Sequence, residues 1–343
     1  MDVLSDVLRS LRLEGALFLY AEFGAPWCVQ APAGEQLGLL LPVHASQLAI
    51  CHLVLDGSCR VQWGEGAGEG LLMGPGDVVV LPRGESHWLG SGMGAGAVSL
   101  RHVVAPRLPD LTRIRYGGEG ERTRVACGWL AFERGRGHPL LDALPKAFLT
   151  PLAHRPCGGW LTQSVLYALD ESAQHRPGAE LVGARVAEAL FVEALRGHLD
   201  DHPDHSPGWM TGSQDPQIGL CLSLLHARPA QAWDLPTLAH EVGMSRSVLA
   251  ARFQQLVGMA PMHYLARWRL VLAARLLGEP RSTVARVSEA VGYASESAFH
   301  RAFKREYGVA PGLWRRRDRD AMQGHEEATP RVGVDAGAAS SDG

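Results

Sequence analysis

The sequence predicts an α+β chain of two domains: an N-terminal β-barrel with a helical connector, and a C-terminal all-α domain of two helix-turn-helix units. Three observations carry this. One pattern of small, capping and aromatic residues is written twice between Asp234 and Arg317. Between Ala16 and Val104 the apolar residues come instead in short runs broken by turn residues. The charge is also uneven: of a net −3, residues 1–214 carry −6, residues 215–317 carry +7 and residues 318–343 carry −4.

A chain of 343 residues is long enough for two domains with real cores. Val3, Leu4, Val7, Leu8 and Leu11 are spaced as one face of a short amphipathic helix. Strands are then expected at 17–20, 37–41, 48–55, 59–63, 78–81 and 97–104, separated by Asp56-Gly57, Gly64, Gly66, Gly74-Pro75-Gly76 and Arg83-Gly84. Many short strands with regular turns indicate a sandwich or barrel. An arginine-rich, glycine-interrupted loop at 113–124 precedes a strand at 125–132, and Leu140 to Leu149 begin a helical or turn region. Two helices follow at 160–175 and 180–199, split by Arg176-Pro177-Gly178. The apolar face of the second, Leu181, Val182, Val186, Leu190, Val192 and Leu195, suits core packing in part and a dimer contact in part. Residues 200–214 are rich in His, Pro and Asp and read as a polar hinge, while the acidic Gly/Ala/Ser-rich end is expected to be disordered. The resulting division is 1–150 barrel, 151–200 connector, 201–214 linker, 215–317 helical domain and 318–343 tail.

Six scattered cysteines (Cys28, Cys51, Cys59, Cys127, Cys157, Cys221) show no C-x-x-C spacing and read as buried free thiols. No apolar run reaches the ~18 residues of a membrane span, so a soluble cytoplasmic protein without membrane contact is expected.

In the repeat, Ala239 and Gly243 precede Ser245, and Leu249, Phe253, Gly258 and Pro261 follow it. Ser288 and Gly292 precede Ser295, and Phe299, Phe303, Gly308 and Pro311 follow at the same offsets. The small residue lets two helices cross closely, the first glycine suits the left-handed end of a helix, and the serine caps the next one. Leu249 with Phe253, and Phe299 with Phe303, stand four apart and face inward together. A helical-bundle fragment would explain one copy; two in-register copies indicate helix-turn-helix units, whose second helix enters the DNA major groove. The +7 segment is the one that holds them, as a phosphate-binding surface requires.

Residues 215–317 resemble the DNA-binding domain of AraC/XylS-family transcription regulators, and Gly292 to Lys304 (Gly-Tyr-Ala-Ser-Glu-Ser-Ala-Phe-His-Arg-Ala-Phe-Lys) is similar to that family's signature. The resemblance implies two helix-turn-helix units bridged by one long helix, here 261–277. Gly76-Asp77-Val78-Val79-Val80-Leu81-Pro82-Arg83-Gly84-Glu85-Ser86-His87 resembles the second cupin motif, which implies a cupin-like, effector-sensing domain over about residues 1–150.

On the first recognition helix Arg246, Ser247, Ala250, Ala251 and Gln254 should face outward, and the family pattern places Ser247, Ala250 and Ala251 where base contacts lie. On the second, Glu296, Ser297, His300, Arg301 and Lys304 form the outward set; Arg301 suits guanine O6 and N7, and Lys304 suits phosphate. In the barrel, His52, Trp63 and His87 are the effector-binding candidates. His52 and His87 line a ligand pocket, bind metal with Cys127, or are satisfied core histidines. No His-x-His occurs, and His44 and His52 stand eight apart; a lone motif histidine does not make an open catalytic metal site. No catalytic residue, metal or cofactor is therefore assigned. The expected function is a DNA-binding regulator responding to a small-molecule effector, with double-stranded DNA, RNA polymerase and a second copy of the chain as partners. The alternative is a metal-dependent cupin enzyme joined to a DNA-binding module.

Overall fold

A computed structural model describes residues 3–10, 13–37, 47–64, 70–92, 96–104, 113–132, 138–202, 208–279 and 281–316. The chain divides into two compact units, one of residues 1–227 with 234–263, the other of residues 228–233 with 264–343.

The first unit is built on two sheets. Strands β1 (Leu13–Gly24), β3 (Gln47–Asp56), β6 (Asp77–Leu81), β9 (Arg113–Gly117), β10 (Arg122–Phe132) and β11 (Phe148–Pro151) form a sheet in the order β11-β6-β3-β10-β1-β9. Strands β2 (Cys28–Ala31), β4 (Cys59–Trp63), β5 (Leu71–Met73), β7 (His87–Gly90) and β8 (Val98–Ser99) form the other, in the order β5-β4-β7-β2-β8. Side chains alternate along a strand. One parity, Leu19, Ala21 and Phe23 on β1, Ile50 and Val54 on β3, and Val125, Cys127 and Trp129 on β10, meets Val29, Val61 and Leu89 of the second sheet in one core.

The other face of the larger sheet is covered by the connector. Helix α5 (Gly158–Ala173) packs on α6 (Ala179–Asp201), and α6 lies on β1, β10 and β11. Phe132 meets Phe191 at 5.6 Å, and the Thr150 hydroxyl donates to Ala194 O at 2.8 Å. Leu190 and Leu195 are therefore core residues. What α5 and α6 leave exposed is Trp160, Leu166, Tyr167 and Leu181. All six cysteines are free, five of them buried and Cys157 half-buried.

Several expectations change. Residues 113–124 are not one loop: Arg113 and Arg115 point outward while Ile114 is buried, a period of two that makes β9, parallel to β1, and only 118–121 turn into β10. Glu22 pairs with Arg115 and with Arg122 at the start of β10, Arg124 pairs with Asp56, and Arg113 lies over the Tyr20 ring. Residues 97–104 are a strand only at Val98–Ser99. Leu100, Val103 and Val104 then bury one face of α3 (Leu100–Val104) at helical spacing. Leu37 ends a helical turn, α2 (Gly34–Leu37), and the remainder of the strand expected at 37–41 lies outside the described residues. The region from Leu140 to Leu149 divides into α4 (Pro139–Ala143) and the start of β11.

The stretch read as a hinge contains α7 (Trp209–Gln214), with Trp209 and Met210 buried. Gly208 N–H donates to Leu256 O at 2.7 Å, and a Cβ on Gly212 would meet Val257 at 2.6 Å. Close packing on the first helix-turn-helix ties α7 down. His44 and the acidic end fall outside the described residues.

The helical segments are α8 (Pro216–Ala227), α9 (Leu235–Glu241), α10 (Arg246–Val257), α11 (Pro261–Leu277), α12 (Val284–Ala290) and α13 (Glu296–Tyr307). Helix α11 has the bounds expected from sequence. No helix among the described residues is long and apolar enough to cross a membrane.

Candidate nucleic-acid interface and barrel site

The two helix-turn-helix units are built alike. Asp234 caps α9 by accepting from Thr237 N–H at 2.8 Å, and Thr283 caps α12 by accepting from Arg286 N–H at 3.3 Å. Both first helices end in a left-handed glycine, Gly243 at φ 67° and Gly292 at φ 83°. Beyond them Met244 N–H reaches Ala239 O at 2.9 Å, and Tyr293 N–H reaches Ser288 O at 3.0 Å. Ser245 and Ser295 then cap the recognition helices, accepting from Val248 N–H and Ala298 N–H, both at 3.3 Å. Leu249, Phe253, Phe299 and Phe303 are fully buried. In the second unit Phe303 also packs on Tyr307 and Trp314, with centroids 4.7 Å and 5.5 Å away.

Several basic residues serve this scaffold. Arg252 is held by Asp215 at 3.0 and 2.5 Å, Arg267 by Glu306 at 3.2 Å, and Arg269 donates to Pro229 O and Gln231 O. Arg315 donates to Ser282 O. The residues expected to contact DNA are used differently. On α10 Arg246, Ser247 and Ala251 are exposed and Ala250 is half-buried. On α13 Ser297, Arg301 and Lys304 are exposed, and half-buried His300 lies 3.7 Å from Glu296. Ser247 and Ser297 each approach the capping serine at 3.3 Å. Each helix thus collects its own expected set on its solvent side. The α10 face also has an exposed apolar side chain, Val248, 52% exposed. Its place in the sequence, between Ser247 and buried Leu249 in the first turn of α10, gave no signal.

In the barrel the three candidate residues also meet. His52 on β3 lies in register with Cys127, and Trp63 on β4 lies in register with His87 on β7. The His52 and His87 rings face each other with Nε2 atoms 2.8 Å apart, and His87 Nδ1 lies 2.9 Å from Glu85 O. A carbonyl only accepts, so His87 carries its proton on Nδ1 and its Nε2 is a lone pair. His52 must then donate from Nε2, which leaves its own Nδ1 a bare acceptor. That atom is buried and has no hydrogen-bond partner among the described residues. Burial pushes the His52 pKa well below its ordinary value, with His87 adding to the effect, and pushes His87 down to about 4 against the opposing bond to Glu85. Both rings are neutral near pH 7, as one shared proton requires. Trp27 Nε1 is a second buried polar atom without a partner among the described residues.

This chemistry does not suit a metal held with Cys127. The two Nε2 atoms are spent on each other, and burial raises the Cys127 thiol far above its usual range, with Cys51 and Cys59 adding to the shift. Among the described residues no three His, Cys, Asp or Glu side chains gather to hold an ion.

A cupin-like barrel followed in the chain by two capped helix-turn-helix units is the arrangement of a two-domain transcription regulator. This chain belongs to the AraC family of that class. The Cupin family model matches residues 2–200 and the Helix-turn-helix domain model residues 238–317. A putative AraC-like transcription regulator of Streptomyces lividans is 35% identical over 320 residues, covering 92% of this chain and 98% of that one. The HTH-type transcriptional regulator AlkR of Acinetobacter baylyi is 27% identical over 329 residues, covering 92% and 99%. Among solved structures, the DNA-binding domain of AdpA in complex with a target DNA is 30% identical, covers 32% of this chain and 98% of that one, and has a TM-score of 0.30.

Proposed function

We propose that the chain regulates transcription by placing α10 and α13 in the major groove of double-stranded DNA, under control of a small molecule bound in the barrel. The observation that carries the DNA part is the contrast among the basic residues: Arg252, Arg267, Arg269 and Arg315 are tied into the scaffold, whereas Arg301 and Lys304 stand exposed one turn apart on α13. Arg301 reads a guanine edge and Lys304 holds phosphate, with Arg246, Ser247, Ala250 and Ala251 of α10 and Ser297 and His300 of α13 completing the contacts. Neutralising about six phosphates would make log affinity fall against log salt with a slope of roughly −5. Titration of a bound duplex between low and moderate salt measures it, and a slope near zero defeats the assignment.

The effector part rests on His52. A buried lone pair costs free energy unless something donates to it, so the effector presents a hydroxyl or N–H to His52 Nδ1, with Trp63 and His87 beside it. The domain roles proposed are effector binding in 1–150, dimerisation through 151–200 and DNA binding in 215–317. Exposed Trp160, Tyr167 and Leu181 are the surface for a second copy. The effector acts by favouring one dimer arrangement over another, and only as far as it binds the two unequally. RNA polymerase is the further partner and the cytoplasm the compartment. The relatives named above are regulators, which favours this reading over a cupin enzyme joined to a DNA-binding module.

A further inference from the structure

Between Arg246 and Gln254 at its two ends, the reading face of α10 is poor in hydrogen-bonding side chains. Ser247 has its hydroxyl 3.3 Å from the capping Ser245, Ala250 and Ala251 have none, and Arg252 is bound to Asp215. At the matching positions α13 has Ser297, His300, Arg301 and, across from Val248, half-buried Ala298. A helix in the major groove without donors or acceptors at its centre still meets one apolar feature, the C5-methyl group of thymine. Val248 and Ala251 stand three residues apart, so they are neighbours on one side of the helix and both are exposed. A β-branched residue is also a poor choice for an exposed helical position on propensity alone. An alanine there, as in α13, would serve the helix better.

We infer that α10 reads its part of the DNA site through thymine methyl groups, with Val248 the specificity-determining contact and Ala251 beside it. The inference rests on the DNA-binding reading above. It divides the labour within one chain: α13 reads base edges by hydrogen bonds through Arg301, and α10 reads methyl groups by van der Waals contact. The DNA bound by α10 should therefore be rich in thymine. Since cytosine methylated at C5 presents the same group in the same groove, that base is the one substitute α10 should accept.

The test uses the full-length chain and a duplex selected by it from a randomised library. Each thymine is replaced in turn by deoxyuridine, which removes the methyl group and changes no hydrogen-bonding group. Loss of one buried methyl contact predicts about a three- to tenfold weaker Kd at one or two positions. Val248→Ala should weaken the thymine duplex by a similar factor and abolish the penalty for deoxyuridine at those positions, while Arg301→Ala leaves that penalty intact. Val248 is exposed, so its replacement leaves the fold in place, which the far-ultraviolet circular dichroism of the variant checks. Equal affinity for thymine and deoxyuridine at every position overturns the inference while sparing the DNA-binding reading. So does a deoxyuridine penalty that survives in Val248→Ala. Failure to select any duplex overturns both.

Discussion

The two helix-turn-helix units share a skeleton and differ in what they show to solvent. Both have a polar cap before each helix, a left-handed glycine after the first, and an apolar pair four residues apart beneath the second. Above that skeleton, α10 presents Val248, Ala250 and Ala251 where α13 presents Ala298, His300 and Arg301. The shared positions are those the fold needs, because an orphan amide or a missing core side chain costs free energy in either copy. The differing positions are those the fold leaves free. The supports differ as well. A Cβ on Gly292 would strike Ala230 at 2.7 Å, while nothing lies within 4 Å of one on Gly243. The first unit has Arg252 held by Asp215; the second has Phe303 packed between Tyr307 and Trp314.

The largest effect should come from the cores. Phe253→Ala and Phe303→Ala are each expected to cost about 3 to 5 kcal/mol of the stability of their own unit. Phe303→Ala should be the worse of the two, because it also unsupports Tyr307 and Trp314. Urea unfolding of the full chain followed by circular dichroism and tryptophan fluorescence measures both, and equal costs would erase this difference between the copies.

Acid should separate the units next. In the compact unit of residues 1–227 with 234–263, which holds the barrel and the first helix-turn-helix, burial pushes His226 and His138 down to about 3, with each ring's neighbours modifying the shift, and pushes His87 to about 4. In the second, the described residues include His300 alone. A histidine whose folded pKa is depressed binds its proton first in the unfolded chain. Its stabilisation is therefore complete above the unfolded pKa of about 6.5 and lost as pH falls toward the folded value, at about 1.4 kcal/mol per pH unit for each ring. From pH 6.5 to 5 that is about 2 kcal/mol per histidine. Thermal melts at the two pH values should shift the transition of the first unit and leave that of the second in place; a common shift would contradict the assignment of neutral buried rings.

The smallest effects concern binding. Arg301→Ala should cost about 1 to 3 kcal/mol of DNA affinity and relax preference at one base pair, whereas Lys304→Ala should weaken all sequences alike. Binding to a panel of single-base variants separates the two. An Arg301→Ala protein with unaltered preference would mean that α13 does not read bases through this residue.

Much of this was legible in the chain because it is set by local rules. The two copies of the repeat, the serine caps and the glycine ends follow from spacing alone, and the bounds of α11 from the family resemblance that the repeat carries. Strands β1, β3, β4, β6 and β10 follow from their apolar runs, whereas β2, β5 and β7 are too short to have stood out as such. What misled was composition standing in for period. The arginines at 113–124 suggested a loop, yet Arg113 and Arg115 alternate with Ile114 and Tyr116 along β9, and Glu22 pairs with Arg115 and with Arg122 of β10. The His/Pro-rich stretch before α8 suggested a hinge, yet Trp209 and Met210 are buried against elements distant in sequence.

The sequence by itself thus determined the class of fold, the paired helix-turn-helix units and the outward sets on α10 and α13, because helix periodicity and capping are properties of residues a few positions apart. Tertiary structure alone decided which basic residues remain exposed and which are absorbed into the scaffold. It alone brought His52 to His87 from strands in different sheets, so that one proton is shared and one acceptor is left bare. It also decided that Val248 is exposed rather than covered. Such facts depend on what arrives from elsewhere in the chain to donate, accept or bury, and spacing within a segment contains no record of it.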